Sequence, residues 1–343
     1  MTARIWLCAV TLGLATLVSL SIGPTGVSLL ALPNAVAALI GANDSSAAEQ
    51  HAMVLLSIRL PRVLLGLFVG AALAVAGTLL QGLFRNPLAD PGLIGVSSGA
   101  ALAAVATIAL GNGLMAGFSK AFGIYALPMA AFLGGLGCTA FLLAIATRHG
   151  HVAVTTLLLA GVAVGAITGA LTGLIAYASD DRELRDLTLW SMGSLSGASW
   201  PKVLAIVPFS VAIIYAVRHL GRTMNAFLLG EAEAFHLGVD TDRAKWIVVA
   251  LCAAAVGAAV AVAGIIGFVG LVVPHLVRLW GGPDHRFVLP ASALLGGALV
   301  LIADVVARVA VAPAELPLGI VMSAIGAPVF LHIIVRGGAG SAG

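Results

Sequence analysis

Charge is scarce in this sequence. Only 9% of its 343 residues are Asp, Glu, Lys or Arg, against about 25% in soluble domains, so the chain lacks the polar side chains to cover itself in water. Soluble enzymes and soluble binding modules are excluded on that ground. Cysteine is scarcer still: Cys8, Cys138 and Cys252 are an odd set, each within an apolar run, with no CxxC pair. They support neither a disulfide framework nor a metal site. Catalytic signatures are missing as well, with no GxxxxGK[ST] phosphate loop and no HExxH. If this chain works with ATP, another chain must bind the nucleotide. The formal charge of +3 reflects few charges rather than a basic patch, and no RNA- or DNA-binding motif accompanies it. Nucleic acid is not an expected partner.

What the chain does have is apolar length: 61% of its residues are hydrophobic. A hydrocarbon core about 30 Å thick needs about 20 apolar residues per helical span. Runs broken by polar, Gly or Pro punctuation predict ten spans, at 4–22, 60–83, 92–110, 123–147, 153–177, 199–218, 243–263, 266–281, 288–311 and 316–335. An even number puts both termini on one side. The fold class is therefore all-α and polytopic, one transmembrane domain over residues 1–343 with no room for a second. The 42 glycines fit this class, because small residues let helix backbones approach closely in lipid. Arg4, the apolar run to Leu20 and the AVA at residues 35–37 mimic a signal peptide. The run is long and the would-be cleavage site lies well beyond it, so an uncleaved first span is expected.

Orientation follows from Lys and Arg near the span ends, which favour the cytoplasm. With the termini inside, ten of them (Arg4, Arg85, Arg148, Arg218, Arg222, Arg243, Lys245, Arg278, Arg286, Arg336) lie inside and seven outside. Cytoplasmic termini are the expectation.

Four features rise above the apolar background. FRNPLADPG at residues 84–92 is the inner turn between the second and third spans, where two prolines stop helix continuation. The fifth span carries Gly161, Gly165, Gly169 and Gly173 on one helical face, a bare stripe that either seats another helix or leaves space for something bulky to pass. The longest inner polar segment, residues 218–245, mixes helix formers with exposed apolar residues around Gly230 and Gly238. It predicts two short amphipathic helices that lie on the membrane surface or fit a partner's groove. On the outer side stand Arg59 and Arg62 in RLPR, and Arg308 one turn from Asp304. These are interfacial cations with an Asp304–Arg308 pair, or a functional cluster.

RLPR (59–62), GAALAVAGTLLQGLFRNPLADPGLIGVSSGA (70–100), LGEAEAFHLGV (229–239), GFVGLVVPHLVRL (267–279), DHRFVLP (284–290) and AELPLGIVMSAIGAPVF (314–330), in this order along the chain, resemble the permease of type II ABC importers. That family takes up iron siderophores, haem and cobalamin. The resemblance implies ten-helix subunits paired about a two-fold axis, two cytosolic ATPase subunits that hold ATP and Mg, and a periplasmic substrate-binding protein. The permease itself would hold no stable cofactor and no metal. It would sit in the bacterial inner membrane and act as a transport subunit, not an enzyme.

Carried onto this sequence, the resemblance makes Arg59, Arg62 and Arg308 the sockets for glutamates of the binding protein, a task that suits directional Arg–carboxylate pairing. Leu229, Gly230, Glu231, Ala232, Glu233, Leu237 and Gly238 become the ATPase coupling segment. Gly161, Gly165, Gly169 and Gly173 become pathway lining, and His149, His151, Thr155 and Thr156 lie where the family keeps its cytoplasmic gate. The wording LRDLTLWSMGSL within residues 181–200 looks most like haem importers. Haem is the expected substrate, with cobalamin or a ferric siderophore as the alternative. His275 and His285 are either haem contacts or structural hydrogen-bonding groups. Arg182 and Arg185 either attract haem propionates or pair with Asp180, Asp181, Glu183 and Asp186. An ion-driven secondary transporter would need paired acidic residues at mid-bilayer, and the only deep candidate is Asp304.

Overall fold

The computed structural model describes residues 2–23, 33, 46–148 and 150–339. Each of the ten expected spans coincides with a helix: α1 (Thr2–Ser21), α3 (Leu60–Leu83), α4 (Val96–Leu110), α6 (Ala126–Ala146), α7 (Val154–Ala178), α9 (Trp200–Leu229), α11 (Thr241–Ala263), α12 (Val269–Gly281), α13 (His285–Val309) and α14 (Leu318–Ala339). Among the described residues, seven helices are long and apolar enough to cross a membrane; those at 96–110, 269–281 and 318–331 are shorter apolar helices. Among the described residues there are also four short α-helices: α2 (Ser46–Val54), which runs through a π turn at Leu55–Arg59 into α3, α5 (Ala116–Phe122), α8 (Asp181–Ser191) and α10 (Glu231–His236). Two-residue strands, β1 (Thr147–Arg148) and β2 (His151–Val152), pair antiparallel between α6 and α7.

Helix α3 is the central post, with α9, α11, α12 and α13 packed around it and α1 behind α13. Its burial follows from its composition, since Gly66, Gly70, Ala71, Ala72, Ala74, Ala76 and Gly77 offer almost no side chain. Backbones therefore touch: a Cβ at Gly70 would overlap the Gly296 carbonyl of α13, and one at Gly77 the Gly270 carbonyl of α12. Lipid offers no hydrophobic drive between helices, so such close contact supplies the attraction. A second group, α4, α6 and α7, is joined the same way, with Gly99 against Gly134.

The segment after α8 stitches the ends of α11 and α14 together. Ser194 N–H donates to the Ala263 carbonyl at 2.8 Å, and the Gly193 and Met192 carbonyls accept from Leu318 and Gly319 N–H at 2.9 and 2.8 Å. Gly193 and Gly264 both sit at left-handed φ, 67° and 71°, where a side chain would be strained and would strike the facing backbone.

Residues 218–245 depart from expectation. Instead of two short helices, α9 continues unbroken to Leu229, and α10 alone is short. The reason is packing: Leu220, Met224 and Phe227 recur at helical spacing and are all buried, so the apolar stripe carries the helix beyond residue 218. The chain breaks only at Gly230, φ 128°. The turn at 84–92 is rigid as expected, with Asn86 capping Leu88 N–H at 2.9 Å and Asp90 capping Gly92 N–H at 2.8 Å. Arg85 takes a left-handed φ of 50° there.

Candidate docking, gating and pathway sites

Helix geometry places the three outer arginines. At 1.5 Å per residue, Arg62 stands about 32 Å from the inner end of α3, one hydrocarbon thickness away. All three are nonetheless buried: Arg59 is 3% exposed, Arg62 9% and Arg308 5%. Arg62 forks between two carboxylates, meeting Asp304 at 2.9 Å and Glu315 at 2.8 Å. Arg308 reaches Asp304 at 3.1 Å, confirming the pair expected from spacing. It also donates to the Ile22 carbonyl at 2.8 Å and to Ser19 Oγ at 3.0 Å. Arg59 donates to the Leu20 carbonyl. The arginines thus tie α1, α3 and α13 together at one end of the bundle. Sequence reading missed the Arg62–Asp304 and Arg62–Glu315 pairs; Glu315 lay in the motif AELPLG without any local spacing to mark its partner.

At the opposite end a second ionic cluster surrounds Lys245, which is 3% exposed. Its ammonium donates to the Val152 carbonyl of the β hairpin at 3.1 Å and to the Glu231 carboxylate of α10. Asp242 accepts from Val152 N–H at 3.0 Å and from His151 Nδ1 at 2.7 Å; a carboxylate partner requires that nitrogen to carry the proton. Both polar backbone groups of Val152 are therefore held by side chains of α11. The expected gate residue His151 is exposed, Thr155 is exposed and Thr156 half-buried at the start of α7. His149 lies outside the described residues. The only sign of Lys245 in the sequence is its place, just after Asp242 and Arg243, at the mouth of an apolar span.

The segment around α10 presents an apolar surface. Phe235 on the helix is 66% exposed, and Leu229 at the end of α9 and Leu237 just beyond α10 are 63% and 64% exposed, while Ala234 alone of α10 is buried. Glu231, Ala232, Glu233 and Gly238 are exposed and Gly230 is buried. A groove of about 870 Å³ runs between α10 and the hairpin, lined by Glu231, Phe235, His236 and His151.

On α7 the glycine stripe divides. Gly161 packs on the Leu93 carbonyl, and among the described residues Gly165 meets only Ser98 Oγ at 3.7 Å while Cβ atoms at Gly169 and Gly173 would touch nothing. Beside it lies a groove of about 230 Å³ whose walls include Ser97, Ser98, Thr168 and Thr172. Val162, Ile167, Leu174 and Tyr177 are exposed on the same helix.

The remaining candidates stay apart from this groove. Arg182 and Arg185 project from α8 and are exposed. Among the described residues they make no ion pair with the neighbouring acids. Asp180 and Glu183 instead form the capping box of α8, with Glu183 N–H donating to Asp180 at 2.8 Å. His275 is half-buried on α12. His285 is fully buried at the start of α13, and its N–H donates to Asn225 Oδ1 at 2.8 Å. Asn225 Nδ2 donates to Asp284 at 2.7 Å, which fixes the amide so that His285 Nδ1, 3.2 Å from Oδ1, is the donor. Hydrogen bonds from Arg286 and then Asn225 hold the Asp284 carboxyl well below the usual carboxylate range. Among the described residues, no group of three His, Cys, Asp or Glu could hold a metal ion.

A glycine-packed bundle of long apolar helices with ionic clusters at both ends defines a multi-pass membrane protein. The chain belongs to the FecCD transport family, whose model matches residues 11–336. It is the permease subunit of a type II ABC importer, as its motifs implied. It is 48% identical to the Hemin transport system permease protein HmuU of Yersinia pestis, over 82% of this chain and 83% of that protein. It is 46% identical to the Cobalamin import system permease protein BtuC of Halobacterium salinarum, over 83% of this chain and 74% of the relative. Among solved structures, an inward-facing metal-chelate type ABC transporter superposes with a TM-score of 0.84 at 31% identity, covering 98% of this chain and all of the other (100%).

Proposed function

We propose that this chain forms the membrane path of a haem importer, paired with a second copy of itself, driven by two ATPase subunits and fed by a periplasmic binding protein. It lies in the inner membrane with both termini cytoplasmic. The observation that carries this reading is the half-empty face of α7: a glycine stripe and polar groove that one subunit leaves unfilled suit a path completed by a twin. Exposed Leu229, Phe235 and Leu237, on and flanking α10, supply the surface for the ATPase, and residues 218–245 form the cytoplasmic coupling segment. Arg59, Arg62 and Arg308 receive the binding protein, with Glu315 sharing Arg62 until a carboxylate of the partner arrives. Haem is favoured by the LRDLTLWSMGSL wording and by the 48% identity to the hemin permease. Cobalamin is the second reading, on the 46% identity to BtuC.

Uptake into liposomes that contain the permease, its ATPase and the cognate binding protein tests the reading. Haem should enter on ATP addition, and cobalamin and a ferric siderophore should not. Cobalamin uptake with no haem uptake would reverse the substrate assignment, and uptake without the ATPase would end the importer reading. In the same vesicles, Arg59→Glu should require more binding protein for the same rate.

The Lys245 cluster gives the stroke a route, since one buried ammonium holds both α10 and the gate hairpin. Lys245→Met keeps the apolar stem but removes the ammonium, leaving the Val152 carbonyl and Glu231 without their shared donor. We expect ATPase activity to persist while haem uptake per ATP falls roughly tenfold or more, the equivalent of one charged hydrogen bond. An unchanged ratio would remove Lys245 from the coupling route.

A further inference from the structure

Helices α1, α3, α9 and α13 enclose a groove of about 610 Å³ whose mouth carries Arg218, Arg222 and Arg286. The three arginines are exposed. Arg218 and Arg222 form no hydrogen bond or ion pair among the described residues. Arg286 is oriented by Asp284, through Nε at 3.2 Å and Nη2 at 3.0 Å. Two helical stripes descend from this cationic mouth. On α13 the lining runs Arg286, Pro290, Leu294, and on α9 Arg222, Arg218, Ile214, each at steps of four residues along one face. Eight residues of helix carry the groove roughly 12 Å away from the arginines. Leu67 and Ala71 of α3 form the floor, and Leu12 of α1 closes one side.

We propose that this groove binds an anionic glycerophospholipid, its phosphate held by Arg218, Arg222 and Arg286 and an acyl chain lying along Pro290, Ala293 and Leu294. The occupant follows from the two chemistries the groove joins. Arginine forks match phosphate oxygens, and basic pockets between membrane helices on the cytoplasmic side suit anionic headgroups. The apolar depth suits a hydrocarbon tail and offers a soluble partner nothing polar to bind. A twin subunit would not cover it, since the open stripe lies on α7, which forms no wall of this groove. The headgroup-bound α9 also runs directly into Gly230 and α10, so lipid would steady the helix that presents the coupling segment.

The proposal rests on the cytoplasmic placement of residues 229–239. Lipid retention by the isolated chain and coupling in the assembled transporter are separate measurements, so either reading can fail alone. The full chain, purified in mild detergent, is incubated with phosphatidylglycerol or phosphatidylcholine of identical acyl chains, and retained lipid is counted by native mass spectrometry. Phosphatidylglycerol should be retained at least about tenfold over phosphatidylcholine. Arg218→Gln with Arg222→Gln should weaken it roughly thirtyfold, at about five- to sixfold per arginine. Ala293→Phe, which fills the groove and spares the arginines, should weaken both lipids and provides a readout if the double variant does not fold. Equal retention of the two lipids, an unchanged preference in the double arginine variant, undiminished retention in Ala293→Phe, or displacement by equimolar inorganic phosphate would each overturn the proposal.

Discussion

Replacing Asp304 with Ala is expected to destabilise the chain by about 3–5 kcal/mol, the cost of breaking a buried ion pair by removing one partner. Asp304 is 1% exposed and serves two guanidinium groups, Arg62 at 2.9 Å and Arg308 at 3.1 Å. Its loss leaves both cations in a region that excludes water, with repulsion no longer offset between them. Glu315 still neutralises Arg62, but nothing among the described acidic side chains then reaches Arg308. Since folded domains are stable by only about 5–15 kcal/mol, a change of this size should appear as lost expression or a sharply lowered unfolding midpoint in detergent. Asp304→Asn keeps the shape but turns one of the two acceptor oxygens into a donor, so a loss of similar size there would assign the effect to the carboxylate and not to side-chain volume. A midpoint within about 1 °C of the parent for both variants would mean that water screens this cluster, and the interhelical clamp would be discarded.

The clamp also marks how far sequence reasoning reached. Spacing of four residues made Asp304 and Arg308 visible as a pair, because helical periodicity is local. Arg62 and Glu315 come from distant turns of chain, and no local rule pairs them. The same limit applies to Lys245, whose partners Val152 and Glu231 belong to other elements. Span positions were legible because about 20 apolar residues must lie together to cross a bilayer. The inner end of α9 was not, because Leu220, Met224 and Phe227 pack on protein instead of lipid, and polar neighbours disguise the stripe. For the site, resemblance supplied roles, while burial, partner identity and the open face of α7 came from the packing alone.

Glycine is where the two sources of information diverge most. Gly77 and Gly169 look equivalent in sequence, each on a small-residue face of an apolar helix. In the folded chain Gly77 lies against the Gly270 backbone, whereas a Cβ at Gly169 would meet nothing. Gly77→Leu must push α12 away from α3, the most buried of the long helices, and overpacking of even a few methylenes costs about 1–3 kcal/mol or more. With backbone in the way and no side chain able to move aside, the expected result is a chain that does not accumulate in folded form. Gly169→Leu has no such obstacle and gains some helix propensity over Gly, so the subunit should fold with undiminished yield and helical circular dichroism. Its side chain would project into the face assigned to the twin and the path, and ATP-driven uptake or dimer assembly should be lost. The two variants therefore separate a glycine needed to build one subunit from a glycine needed between two. If Gly169→Leu transports at the parental rate, the stripe is a lipid-facing surface and the path must be sought elsewhere. If Gly77→Leu folds normally, the close α3–α12 contact is not what holds the bundle together.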